Sequence, residues 1–297
     1  MKKKLIGGSV VFLSAFSALL IILVIIVLMT AIFVGGKDKL TIDFLLGAPT
    51  EGMTAGGIFP AIVGTALLVL IMSVAGVPIG TITAIYLSEY ASQRSLFTRL
   101  IRFAVNTLAG VPAIVFGLFG LGFFVQFIGS EMDKAFSATE LHWGQPNLLW
   151  ASLTMALLTL PVVIVSVEEA LRSVPKDYRE ASLALGATKF QTIRKVVLPN
   201  AVSGIFTGTI LAVGRGAGEV APILFTGVAY FLPHLPHSLS DQFMQLGYHL
   251  YVMSTQSSDV EATKSIQYAS AFVLLLLTFL LNFTAVAFRY KMRAKHG

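Results

Sequence analysis

The chain is 297 residues long, 56% hydrophobic and only 12% charged, with a formal net charge of +6 and no cysteine. An average soluble domain carries about twice that share of charge, and here long apolar stretches hold almost none, which excludes a soluble enzyme, a nucleic-acid-binding domain and a secreted scaffold. Without cysteine there is no disulfide framework, no thiolate chemistry and no Cys-based metal site.

A bilayer core about 30 Å thick takes about 20 mostly apolar residues per helix. Six stretches meet that requirement: 10–34, 59–86, 103–128, 148–167, 202–231 and 266–288. The first is too long for the apolar core of a signal peptide and reads as a retained anchor. The expected organisation is therefore an anchor helix with an outer loop over 1–59, a transport domain over 60–290 and a basic tail over 291–297. The loops sort by charge. Lys2, Lys3 and Lys4, the 88–102 loop, the 168–200 loop and the residues after 288 together hold sixteen Lys and Arg; the alternate loops hold only Lys37, Lys39, Lys134 and Lys264. The basic excess places both termini in the cytoplasm. Arg215 belongs to neither set, because it falls inside the fifth stretch. Gly204 with Gly208, and Gly214 with Gly218, are spaced to let helix backbones approach closely in lipid. The outer segment 231–262 contains Pro233 and Pro236 and reads as lying partly in the membrane interface.

The 168–200 loop is the most informative segment. Pro175 suits a first helical turn, and Tyr178, Ala181 and Leu185 follow on one face. Gly186 is placed to end that helix. Thr188 and Gln191 form a capping box for a second one, which runs to about Val197 before Pro199 breaks it. The product is a helical hairpin with an exposed apolar patch and a basic flank. Three readings stand: a helix-turn-helix DNA reader, a solvated connector, or a docking element for a cytoplasmic partner. The short tethers to the flanking spans press the hairpin against the membrane and favour the third.

Glu180-Ala181-Ser182, then Gly186, then Val196-x-Leu198-Pro199 resembles the EAA motif of ABC importer permeases, with Ser182 in place of Ala and Val196 in place of Ile. The resemblance implies an all-α integral membrane protein with the type I importer fold, whose hairpin fits a cleft on a separate ATPase. The chain has no phosphate-binding loop of its own, so ATP would be used by that partner, with no cofactor in this chain.

Inside the fifth span, Arg215 and Glu219 stand at i and i+4, where they share a helix face and can pair. A charge at that depth is costly and belongs in a cavity or against a partner. Two readings are open: a structural salt bridge, or an anion path in which Arg215 offers a bidentate fork to a tetrahedral oxyanion. In the second, Glu219 balances Arg215 when the path is empty. It also accepts a hydrogen bond from a protonated oxyanion such as phosphate and repels one without a proton such as sulfate. The run GRGAGEVAPILFT over 214–226 is similar to the fifth span of phosphate permeases of the ABC class, of PstA type rather than PstC type; Gly216 and Val220 depart from the common Ala and Thr. EEALRSVP ahead of REASLALGAT is similar to the same type. That resemblance implies phosphate import across the inner membrane of a prokaryote. It also implies a PstC-type second permease, a PstB-type ATPase dimer and a PstS-type extracytoplasmic binding protein as partners, with no nucleic acid. The alternatives are a permease of the same fold for another solute, such as molybdate or sulfate, and a membrane-tethered regulator that uses the hairpin.

Other polar residues are set aside. No metal site is expected, because Pro236 between His234 and His237 spoils a ligand face; the five His read as interfacial or solvated. Glu168 and Glu169 read as solvated or in contact with the ATPase. Asn106, Gln126 and Asn282 read as interhelical hydrogen-bonding groups.

Overall fold

The computed structural model describes residues 2–92, 94–136, 141–257 and 260–294. Six helices among the described residues are long and apolar enough to cross a membrane. The first, α1 (Lys2–Gly36), is apolar all round, and none of its spanning window is buried within the chain, as befits a helix surrounded by lipid. A short outer connection follows: α2 (Ile42–Leu46), whose Phe44 amide donates to Thr41 Oγ1 at 3.2 Å, then an antiparallel pair, β1 (Pro49–Thr50) with β2 (Ala55–Gly56).

The second span is α3 (Phe59–Ile85), extended by a π-helical turn over Tyr86–Tyr90 that the Ala91 amide closes onto Tyr86 O at 2.8 Å. The third differs from expectation. Residues 103–109 belong to a separate amphipathic helix, α4 (Leu96–Ala109). The chain breaks at Gly110-Val111-Pro112 because Pro112 has no N–H to continue the ladder. The span proper is α5 (Ala113–Gly120), a π-helical stretch over Leu121–Gly129 and α6 (Ser130–Ala135). On α4, Thr98, Arg102 and Val105 point inward at helical spacing, and Leu96, Phe97, Leu100 and Phe103 are exposed.

The fourth span, α7 (Leu148–Ser173), is the axis of the molecule. Two-thirds of its spanning window is buried, 67% against at most 33% in any other span, and α3, α4, α5 and the fifth span all pack on it. Its first turn is fixed by buried Asn147, whose Oδ1 accepts the Trp150 amide at 2.9 Å. The hairpin follows as α8 (Lys176–Ala184) and α9 (Lys189–Thr192). A π-helical turn over Ile193–Val197 then leads without interruption into α10 (Leu198–Gly218). Pro199 therefore does not break the helix. It sits in the first turn of α10, where its missing N–H and its ring are accommodated by the wider turn before it. Chain reversal after α10 leads to α11 (Leu246–Thr255) and the last span, α12 (Val260–Ala294).

Close backbone approach holds the bundle where glycines allow it. A Cβ at Gly204 would collide with Ala170, and one at Gly208 would lie 2.7 Å from the Ser166 Cβ, so α10 lies directly on α7 there. Gly214 faces the Asn282 amide on α12, and Gly216, which the spacing did not mark as a packing glycine, faces the Met72 sulfur. A Cβ at Gly218 would meet nothing within 4 Å among the described residues, so the position shows no close backbone packing there. The outer segment is also more deeply placed than expected. Phe243, Met244, Gln245 and Leu246 are at most 2% exposed, and the Leu246 amide donates to Thr65 Oγ1 at 2.9 Å. Ahead of them, the His237 and Ser238 amides donate to Asp241 and hold its carboxyl below the usual aspartate range.

His249, on α11, is 2% exposed, and neither ring nitrogen has a partner among the described residues. It is therefore not solvated, contrary to the expectation for the five His. Burial pushes its pKa down from 6.5 to about 4. The folded chain thus holds the ring neutral while the unfolded chain takes up a proton below pH 6.5. Stability contributed above pH 6.5 is lost as pH falls from there towards about 4, by about 3 kcal/mol in all. Thermal unfolding in detergent between pH 4 and 7 should show that slope, and His249→Leu should flatten it. In the same assay Gly204→Val should lower stability by about 1–3 kcal/mol through overpacking against Ala170, whereas Gly218→Ala should leave it unchanged.

Candidate translocation path and coupling hairpin

The fifth span stops short of its apolar stretch. It ends at Gly218, and Glu219 is already extended, at φ −79° and ψ 132°. The cause is Pro222: it cannot donate to the Gly218 carbonyl and it disfavours helical geometry at the residue before it. The carbonyl of Ala217, left without its helical donor, accepts Gln245 Nε2 at 3.0 Å, and Gln245 is fully buried. Residues 219–222 then press against α5, where a Cβ at Gly117 would meet the Pro222 carbonyl at 2.9 Å.

This break separates the two charges that the sequence placed on one helix face. Arg215 lies in the last turn of α10, where a cation complements the carbonyl end of the helix. Glu219 lies beyond that end, and among the described residues the two form no ion pair. The structural salt bridge is thus absent from the chain by itself. Arg215 is instead exposed, as are Ser203, Leu211 and Gly218 along the same side of α10. The opposite face of α10, with Ala212, Val213, Gly216 and Ala217, is buried. A membrane helix that turns a guanidinium to its exposed side is poorly matched to lipid alone. Counting back in fours from Arg215 finds Thr207 and Ser203; the sequence reading did not take that step.

At the other end, the hairpin is locked to the bundle through Arg179. Its guanidinium donates to Glu89 Oε1 at 2.8 Å, to the Leu171 carbonyl at 2.7 Å and to the Val174 carbonyl at 2.7 Å. Both partners of the ion pair are largely buried, with side-chain exposures of 19% and 10%. Arg179 ties together the end of the second span, the end of α7 and α8. Pro175 precedes the first turn of α8 instead of standing in it. Gly186 turns the chain at φ +84°, a conformation that favours glycine. Both halves of the Thr188–Gln191 capping box are made, and the hydroxyls of Ser182 and Thr192 bond at 3.0 Å across the hairpin. Glu180, Ala181, Leu183, Leu185 and Phe190 are exposed, whereas Val197 is fully buried and Val196, Leu198 and Pro199 are partly so. The motif thus has an open end and an end rooted in the bundle.

Glu168 is not solvated. It is 8% exposed and bonds Arg102 at 2.7 Å and Arg172 at 3.3 Å, while Arg102 also donates to the Leu87 carbonyl at 2.9 Å. This network fixes α4 against α7. Asn106 and Gln126 are exposed and form no interhelical hydrogen bond among the described residues; Asn282 lies against Gly214 with Oδ1 buried and unpartnered. Among the described residues no cluster of three His, Asp or Glu is placed to hold a metal.

Six spans, a broken fifth helix and a basic hairpin ahead of it define the type I ABC importer permease fold. A bacterial alginate ABC transporter chain matches at a TM-score of 0.60, over 93% of both chains, at 15% identity. The chain belongs to the family of binding-protein-dependent transport system inner membrane components, whose model matches residues 76–294. It is 31% identical over 258 residues to the phosphate transport system permease protein PstA of Haemophilus influenzae, covering 86% of this chain and 84% of that one. It is 34% identical over 199 residues to the probable ABC transporter permease protein YqgI of Bacillus subtilis, covering 67% and 63%. The chain spans about half to two-thirds of the length of the first curated relatives it matches.

Removing Arg179 leaves Glu89 buried without its cation, a defect of about 3–5 kcal/mol. Arg179→Ala should therefore speed amide hydrogen exchange across 174–184. Arg179→Lys should recover little, because one ammonium cannot reproduce a fork that serves three acceptors.

Proposed function

We propose that this chain is the PstA-type permease subunit of an ATP-driven phosphate importer, and that Arg215 is the anion contact on its path. The observation that carries the reading is the open guanidinium at the end of a broken span, on a hydroxyl-bearing face and without an anionic partner among the described residues. A tetrahedral oxyanion takes two hydrogen bonds from such a fork. Glu219, just past the helix end, accepts a hydrogen bond from the P–OH of hydrogenphosphate and disfavours an anion that has no proton. The printed name of the Haemophilus relative supports phosphate as the solute. A molybdate or sulfate permease of the same fold would share the 168–200 loop but not the GRGAGEVAPILFT run over 214–226, which carries Arg215 and Glu219.

In this reading both termini are cytoplasmic. Residues 1–59 form the anchor, 60–290 the transport domain and 291–297 a basic tail. A PstC-type permease covers the open stripe of α10, so the path runs between two similar subunits. A PstB-type ATPase dimer grips the exposed end of the 168–200 hairpin and supplies all the ATP chemistry. A PstS-type binding protein delivers phosphate to the outer segments. Closure of the ATPase pair moves the hairpin, and Arg179 carries that movement to the ends of the second and fourth spans, which opens the path outward; hydrolysis resets it.

Phosphate uptake by cells under phosphate limitation tests the reading. Arg215→Ala should reduce uptake on the order of 10- to 100-fold, the loss expected for charge-assisted hydrogen bonds. Glu219→Gln should assemble normally and narrow the preference for phosphate over sulfate. Full uptake in Arg215→Ala, or in a strain lacking the chain, refutes the phosphate assignment; unchanged selectivity in Glu219→Gln refutes the role of that carboxylate.

A further inference from the structure

The end of the second span and the second arm of the hairpin, where it enters the fifth span, flank a groove of about 550 Å3 that lies apart from Arg215. Its walls are the two π-helical turns, Tyr86–Tyr90 and Ile193–Val197, with the helical turns that lead into them. Its chemistry is graded along its length. At the end deeper in the bundle it is lined by Ile82, Ile85 and Leu198; toward the other by Ile193, Tyr86, Tyr90, Phe190 and Arg194. From Ile82 to Tyr90 the wall runs about 12 Å along the helix axis. Lys189 adds a second cation at the mouth, with Nζ 5.2 Å from the Tyr90 ring centroid. No acid lines the groove. Its rim is open: Ile82 is 67% exposed and Tyr90 46%.

We infer that this groove is a binding site for an anionic phospholipid of the adjoining leaflet, with its headgroup at Arg194 and Lys189 and an acyl chain along Ile82, Ile85 and Leu198. Three features select that occupant. The gradient from apolar to aromatic to cationic matches an amphiphile standing along the membrane normal, with tyrosines at headgroup level. The two cations and the absence of any lining acid match a phosphodiester and not a zwitterionic surface. The deep end lies a full two turns inside the span, where a helix of a water-soluble partner does not reach but a lipid tail already is. The site also bears on coupling, because one of its walls is the turn that joins the hairpin to α10. A π-helical turn can revert to α-helix by a local register change, so a lipid wedged between two of them holds the hairpin at a defined angle to the bundle.

Photolabelling of the full chain, in its complex, in phosphatidylcholine nanodiscs tests the site. The discs carry a trace of phosphatidylglycerol with a diazirine on its acyl chain, and the labelled residues are mapped by mass spectrometry. Label should concentrate on 82–90 and 190–198, be competed by unlabelled phosphatidylglycerol and resist competition by further phosphatidylcholine. Arg194→Gln should lower it about fivefold, the effect of one basic residue near an anionic headgroup, with a further loss in the double variant with Lys189→Gln. Arg194→Lys should retain label, which separates charge from folding. Ile85→Trp should lower label by filling the groove with both cations in place. Equal labelling by a phosphatidylcholine probe, or label indifferent to these substitutions, would show ordinary lipid contact and overturn the site. So would an unlabelled groove in which cysteines at 86 and 194 cross-link to a partner subunit.

Discussion

A membrane helix that stops inside the protein must hand its last carbonyls to other donors, and this obligation organises the outer half of the molecule. Pro222 ends α10 at Gly218. Gln245 answers by donating to Ala217, which requires the segment that carries it to be drawn into the bundle. Phe243, Met244 and Leu246 are buried as a consequence, and Thr65 of α3 takes the Leu246 amide. One broken ladder thus explains why a segment with the composition of an interfacial loop is part of the core.

The inner half depends on two buried guanidinium forks. Arg179 binds the hairpin to the second span and to α7, and Arg102 binds the amphipathic α4 to Glu168. Each also donates to backbone carbonyls at or near helix ends. The hairpin is therefore continuous with the bundle on one side and open on the other. The end of the hairpin and the Arg215 side of α10 stay exposed among the described residues.

Much of this was legible in the sequence because it is local. Six apolar stretches, the capping box, the glycine turn and the exposed patch of the hairpin follow from spacing alone, and the structure contains each of them. The errors share a cause. The boundaries of the third and fifth spans were drawn by hydrophobicity, and prolines overrode it: Pro112 split off α4, and Pro222 cut α10 short and undid the Arg215–Glu219 pairing. Pro199 erred in the other direction, because a π-helical turn two residues upstream absorbs it. Glu168 and His249 were misplaced because burial depends on which helix lies alongside, and no short-range pattern records that.

The sequence by itself determined the class of protein, its number of spans and the local shape of the hairpin, since each rests on hydrophobic length, caps or turn residues within a few positions of one another. The tertiary structure alone decided that Arg215 faces open space, that Glu89 and Arg179, ninety residues apart, close the hairpin onto the bundle, and that two tyrosines and an arginine share one groove. Those outcomes depend on which faces remain after α7 has collected its neighbours, and that is settled by packing among all the helices at once.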